Sequence, residues 1–371
     1  MRRFTALRIP ALLTAAALVV ALGPGPAGTA AAPSSRLTRT GLDVRLAPGV
    51  PPLPRSIPAS AWLVADLRTG QVLAANAPLH RWRPASTLKV LTALTLIPRL
   101  PLRRTVRATE ADAAVQGSRV GLVPGQRYTV AQLLEALLVV SGNDAALALA
   151  QANGGTARTI AEMNAEARHL GADATHAASV DGLDAPGQFS TPYDLALIAR
   201  AALASPTFRH FDGIETAEFP GTPRVHFQIQ THNPLLGVYP GTFGVKNGYT
   251  TEDDATYIGA ARRGGRSLVV VLMHATPDFA PTAEALLTWG FRADGRVAPV
   301  GQLASPAARA PRRAPTGSPG QAAGVVPVGT GHRTRDLEIA AVAALVVVTA
   351  AGASGRRRRG RGRRRRLTLP R

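Results

Sequence analysis

Two hairpin patterns at opposite ends of a long helical stretch limit what this chain can fold into more than any other feature of its sequence. Residues 62–67 and 71–75 are short apolar runs joined by Arg68-Thr69-Gly70, a turn tripeptide. Residues 256–261 and 267–274 flank Arg262-Arg263-Gly264-Gly265-Arg266 in the same manner. Between them the pattern is helical. Thr129 and Gln132 form a capping box ahead of an apolar helix reaching Val140. Thr156 opens a second helix that stops at Gly171, and Thr191-Pro192-Tyr193-Asp194 caps a third. The expected fold is α+β: one antiparallel sheet built from the N- and C-terminal hairpins, flanked by helices, with a helical lobe inserted between them.

The chain of 371 residues has no cysteine, which excludes disulfides, thiolate metal sites and a cysteine nucleophile. Its eight histidines have no ligand-like spacing, and neither a metal nor an organic cofactor is expected. The formal charge of +20 resembles a nucleic-acid signal until it is mapped. Ten arginines fall in the last sixteen residues, and Arg2, Arg3 and Arg8 stand at the other end. Residues 33–301 are only slightly basic, so the charge reports on topology and no nucleic-acid partner is expected.

Basic residues, an apolar run from Ile9 to Leu22 and the small residues Ala30-Ala31-Ala32 read as a signal peptide over 1–32. A flexible lead-in is expected over 33–57, the folded domain over 58–300 and a Pro/Ala/Gly-rich linker over 301–336. Residues 337–355 hold an apolar run near the lower limit for a transmembrane helix, about 17 residues. The polyarginine tail 356–371 follows at once, and the positive-inside rule assigns it to the cytoplasm. The expectation is therefore an exported protein, anchored in the plasma membrane by its C-terminal helix, with the folded body on the extracellular face.

Of the 43 basic residues only two, Lys89 and Lys246, are lysine. Arginine serves wherever this chain needs a cation, but it cannot accept a proton, whereas lysine gives one up at an accessible pKa. Lys89 stands in Pro84-Ala85-Ser86-Thr87-Leu88-Lys89, ahead of an apolar helical run. Three residues apart on a helix, Ser86 and Lys89 share a face. A desolvated lysine there can take the proton of a serine hydroxyl, and the helix N-terminus can face a developing oxyanion. Alone, Ser-x-x-Lys is weak. Two further elements accompany it: Ser141-Gly142-Asn143 at a break between apolar helices, and Lys246-Asn247-Gly248-Tyr249 ahead of the last hairpin.

Together these resemble, in order, the Ser-x-x-Lys, Ser-x-Asn and Lys-Thr-Gly signatures of the penicillin-recognising serine enzymes. The strongest likeness is to the low-molecular-mass D-alanyl-D-alanine carboxypeptidases. It extends through Asp181-Gly182-Leu183-Asp184, the Thr191 cap and Gly244 to Thr251, and covers about residues 58–292. The resemblance implies a β-lactamase/transpeptidase-like fold and a serine peptidase that removes the terminal D-Ala from peptidoglycan stem peptides, with β-lactams as covalent inhibitors. It implies that Ser86 is the nucleophile, Lys89 its base and Ser141 a proton relay. It also implies that Asn143 orients the substrate amide, Lys246 with Asn247 and Gly248 receives the terminal carboxylate, and the N–H groups of Ser86 and Tyr249 hold the oxyanion.

Departures from the pattern are Asn247 in place of threonine, the acidic run Glu252-Asp253-Asp254 close to an anion-binding site, and Asp181 where relatives often carry histidine. Two other readings use the same motifs. A serine β-lactamase needs a deacylating carboxylate, and neither Glu162 nor Glu166 has an asparagine four residues on. A catalytically weak or inactive wall sensor would keep the fold without turnover.

Overall fold

Residues 62–65 and 268–273 are apolar without alternation, so the strands that contain them need cover on both faces. In the computed structural model, which describes residues 37–304 apart from Arg39, 45–47, Pro223 and Asp253, they have it. The chain begins with β1 (Leu42–Val44), β2 (Ala59–Asp66) and β3 (Gln71–Asn76), then a 3-10 turn (Ala85–Leu88) running into α1 (Lys89–Leu96). The lobe follows as β4 (Thr105–Arg107), α2 (Glu110–Ala113), β5 (Arg127–Thr129), α3 (Val130–Val139), α4 (Asn143–Ala152) and α5 (Thr156–Leu170). Next come α6 (Pro192–Ala204), α7 (Pro206–Asp212), β6 (Thr216–Thr222) and β7 (Val225–Gln230). The chain closes with β8 (Thr242–Thr250), β9 (Asp254–Arg263), β10 (Arg266–Ala275), α8 (Ala280–Ala293) and β11 (Gly301–Gln302).

The main sheet has the order β1-β3-β2-β10-β9-β8, with β11 also on β3, and every pairing is antiparallel. The two expected hairpins meet at its centre, where β2 pairs with β10 from Asp66 opposite Leu268 to Ala59 opposite Ala275. Leu63, Ala65, Val269 and Val271 face the helical lobe, packed with Leu88, Leu91, Leu137 and Ile198. Trp62, Val64, Val270 and Leu272 face the other way, against Leu286, Leu287 and Trp289 of α8. Each such fully buried aliphatic side chain contributes about 1.5–3 kcal/mol. The expected α+β architecture is the observed one.

The caps fall where the sequence puts them. Thr129 Oγ1 accepts from the Gln132 N–H at 3.2 Å, and Gln132 Oε1 accepts from the Thr129 N–H at 2.9 Å. Gly171 ends α5 with φ 81°, a left-handed value natural to glycine. Thr191 caps α6 by accepting from the Asp194 N–H at 3.1 Å.

Other features go beyond the sequence reading. The segment carrying Lys246 is itself a strand, β8, on one edge of the sheet. Part of the stretch read as a lead-in is docked: β1 pairs with β3, Trp289 Nε1 donates to the Pro51 carbonyl at 2.9 Å, and Arg296 donates to that of Gly49. At the far end β11 carries the body past residue 300, with the Leu303 N–H donating to the Gly70 carbonyl. Strands of two and three residues show no periodicity in a sequence; register on β3 defines them. The signal peptide 1–32, the linker beyond residue 304, the span 337–355 and the tail 356–371 lie outside the described residues. Among the described residues no helix is long and apolar enough to cross a membrane, and no cluster of acidic or histidine side chains is arranged to hold a metal ion.

Candidate active site

Ser86 sits on the 3-10 turn that leads into α1. Pro84 fixes the approach, Ala85 takes φ 48°, and the turn closes with the Thr87 N–H on the Pro84 carbonyl at 3.2 Å. One turn on, Lys89 begins α1 and is wholly buried. Its Nζ donates to Ser86 Oγ at 2.9 Å, to Asn143 Oδ1 at 2.7 Å and to the main-chain carbonyl of Asp181. Burial, helped by the charge of Lys246 and opposed by Asp181 and Asp144, brings the Lys89 ammonium down to about 7. A large fraction is therefore neutral amine near neutral pH, with its lone pair available to the Ser86 hydroxyl.

The Ser141-Gly142-Asn143 break lies between α3 and α4 and is held from below. The Gly142 N–H donates to the Ala136 carbonyl, and the Asn143 N–H to that of Ser118. Asn143 Nδ2 donates to the Gln116 carbonyl at 2.7 Å, which fixes the amide so that its oxygen faces Lys89. Ser141 takes φ 60° and is buried, and its Oγ has no hydrogen-bond partner among the described residues. Asp144, which the sequence reading passed over, accepts from the N–H groups of Val120, Gly121 and Leu122 and so holds that loop beside Asn143. Asp181 contributes its carbonyl to Lys89, while its carboxylate accepts from the Leu183 N–H at 3.0 Å. Its side chain therefore shapes the turn and does not reach the lysine by a hydrogen bond.

β8 forms the opposite wall. Lys246 is buried, and its Nζ donates to the Asn247 carbonyl at 2.8 Å and to Asn247 Oδ1 at 3.3 Å. The asparagine amide is turned oxygen-first to the lysine, leaving its NH2 as the outward donor. Burial lowers Lys246 to about 8, against the opposing pull of Asp212. Gly248 lies so close to the serine turn that a Cβ there would sit 2.6 Å from the Ser86 nitrogen. Gly182 presses on the same turn from the other side, where a Cβ would sit 2.1 Å from the Ala85 carbonyl oxygen. Tyr249, next along β8, is exposed.

All eight residues singled out from the sequence thus lie on three elements that converge at one place: Ser86 and Lys89 on the turn and α1, Ser141 and Asn143 at the α3–α4 break, and residues 246–249 on β8. The acidic run behaves differently from its reading. Glu252 pairs with Arg83, which also lies 3.8 Å from Asp184, and Asp254 lies 3.8 Å from His274. The negative charge of Glu252 at this rim is therefore met by Arg83, while Asp253 is outside the described residues. A cavity of about 640 Å³ between α6 and the β9–β10 turn contains none of the site residues, so volume alone does not locate the chemistry.

Known proteins resemble this chain in sequence and in fold. A family model described as D-alanyl-D-alanine carboxypeptidase matches residues 48–277. A D-alanyl-D-alanine carboxypeptidase of Mycobacterium tuberculosis is 45% identical over 250 residues, covering 66% of this chain and 85% of the relative. A Bacillus subtilis D-alanyl-D-alanine carboxypeptidase is 30% identical over 226 residues, 59% of this chain and 58% of the relative. Among solved structures, a D-alanyl-D-alanine carboxypeptidase from Mycobacterium tuberculosis superposes with TM-score 0.67 at 44% identity, over 70% of this chain and all of that one. The DD-transpeptidase of a Streptomyces strain gives 0.62 at 31% identity, over 65% and 99%. With its motifs assembled as the sequence order implied, the chain belongs to the D-alanyl-D-alanine carboxypeptidase family of serine peptidases.

Proposed function

We propose that this chain removes the terminal D-Ala from peptidoglycan stem peptides through an acyl-enzyme on Ser86. The observation that carries the assignment is the buried Lys89 Nζ at 2.9 Å from Ser86 Oγ, with its pKa brought down to about 7. As the Ser86 oxygen bonds to the penultimate carbonyl carbon, its proton passes to the neutral Lys89 amine. The carbonyl oxygen becomes an oxyanion, received by the N–H groups of Ser86 and Tyr249. Donors of this kind are worth about 3–4 kcal/mol each to the transition state. Collapse breaks the C–N bond, and the departing D-Ala nitrogen takes a proton from the Ser141 hydroxyl, which is refilled from Lys89. Asn143 aligns the peptide amide, and Lys246 with the Asn247 amide and Gly248 receives the terminal carboxylate. Water then attacks the ester as Lys89 takes its proton, and collapse breaks the ester C–O bond while Lys89 returns that proton to the Ser86 oxygen, restoring both groups.

A fluorescent penicillin added to the full-length protein tests the proposal. Covalent label on the wild type and none on Ser86→Ala is the expected result; an unlabelled wild type would sink it. Release of D-Ala from a stem peptide separates the peptidase from an inactive wall sensor, the reading that Asn247 favours. Rapid loss of label with ring-opened product would point to a β-lactamase. Against that reading stands Glu162, which is held by Asn153 at 2.7 Å, by Arg99 just beyond α1 and by Arg158 on α5.

For its setting, we propose an exported protein held in the plasma membrane by residues 337–355, with the catalytic body outside and the arginine tail inside. The support is the sequence pattern: basic residues before an apolar run at the N-terminus, and an apolar run before ten arginines at the C-terminus. Protease added to intact cells should remove the body and spare the tail. A body protected until lysis would contradict this topology.

A further inference from the structure

Asp212 ends α7 in an environment that disfavours a carboxylate. It is 4% exposed, it stands at the negative end of a helix, and neither of its oxygens has a hydrogen-bond partner among the described residues. An apolar side chain would pack there at no such cost. The strand beside it is shaped to admit the carboxylate: a Cβ on Gly244 would sit 2.1 Å from Asp212 Oδ2. The carboxylate therefore fills the side-chain space of residue 244, and Lys246, two residues along β8, points to the same face.

We propose that Asp212 is a positioning residue for the reaction, a buried counter-charge that holds Lys246 as a cation directed along β8 toward Asn247, where the substrate carboxylate is received. This rests on the reading of Lys246 given above. Asp212 acts through its field and not by contact, since the lysine's hydrogen bonds go to Asn247. Burial pushes the Asp212 carboxyl up and the Lys246 ammonium down, and each charge opposes the shift of the other. The other titratable groups around the pair are Lys89 at the head of α1, His232 beyond β7 and Tyr257 on β9. Burial, with both lysines adding, keeps the His232 imidazole low, and burial keeps the Tyr257 phenol high. Both shifts favour the neutral forms of those groups, so among them Asp212 is the one whose negative charge, favoured by Lys246, can offset the cost of a buried ammonium on β8.

The test compares an acylated D-Ala–D-lactate ester bearing its free carboxylate with the methyl ester of the same compound. It uses the full-length wild type and Asp212→Asn, with Asp212→Ser as the second variant. For Asp212→Asn at pH 8, KM for the free acid should rise about tenfold with kcat within about twofold, while the methyl ester is turned over as before. The high-pH limit of kcat/KM for the acid should also move down by about one pH unit. Equal slowing of both substrates, or an unchanged KM for the acid, overturns the assignment, as does failure of both variants to fold. Should the wild type itself not distinguish acid from ester, the error lies in the reading of Lys246, and the two failures are thereby separated.

Discussion

Arginine in place of Lys89 keeps a positive charge but removes the lone pair, because guanidinium does not give up a proton at any accessible pH. Lys89→Arg should therefore label with a fluorescent penicillin at least about a thousandfold more slowly than wild type, a loss in the usual range for a general base. Lys89→Met, without the buried charge, should lose as much while melting no lower. The same chemistry fixes the pH profile. Acylation needs Lys89 neutral, a fraction that grows as pH rises through about 7, and Lys246 charged, a fraction that falls as pH passes about 8. The rate of acylation by a carboxylate-bearing substrate should be bell-shaped with its maximum between those values; a plateau extending beyond pH 9 would contradict the role given to Lys246. At the rim, Arg83 is met by Glu252 and Asp184. Arg83→Gln should leave both acids uncompensated and raise KM for an anionic stem peptide, an effect that weakens in high salt. Glu252→Gln should change it little.

The elements bring the residues together through contacts between main chains. β8 can lie against the serine turn because residue 248 has no side chain. Gly248→Ala should push the strand off the turn, widening the gap where the N–H groups of Ser86 and Tyr249 converge. Acylation should slow about a hundredfold, by the measure of a lost oxyanion donor, with little change in melting temperature. Much of this level was legible in the sequence. Caps such as Thr129 with Gln132 announce themselves because they depend on side chains at fixed offsets, and Ser86 and Lys89 because one helical turn separates them. What escaped depends on tertiary register. β1 is defined only by its pairing with β3, the use of Asp181 is through a carbonyl that any residue would supply, and Asp144 and Asp212 act on segments distant in sequence. Gly182 carried a faint signal in Asp181-Gly182-Leu183, but what it must avoid, the Ala85 carbonyl, is visible only in the fold.

At the scale of the whole molecule, the docked lead-in and the site occupy opposite edges of one sheet, β1 on one side and β8 on the other. Val44, Val50, Leu53 and Ile57 pack on the α8 face, where Trp289 also bonds to the Pro51 carbonyl. A chain with 33–57 deleted should melt about 5–10 °C lower, the shift expected from losing about 2–3 kcal/mol in a domain of this size. Its label on Ser86 below the melting range should be unchanged, because the described residues of the lead-in pack on β3 and the α8 face, away from β8. Equal loss of labelling and stability would show that the two edges are coupled.

The seam between β2 and β10 joins partners about two hundred residues apart along the chain. Ser86 lies early in the polypeptide and β8 late, so the walls of the site meet only when that seam closes. During synthesis, then, the nucleophile is made long before the strand that completes its surroundings. The order of the elements itself keeps the chain silent until its last hairpin has emerged.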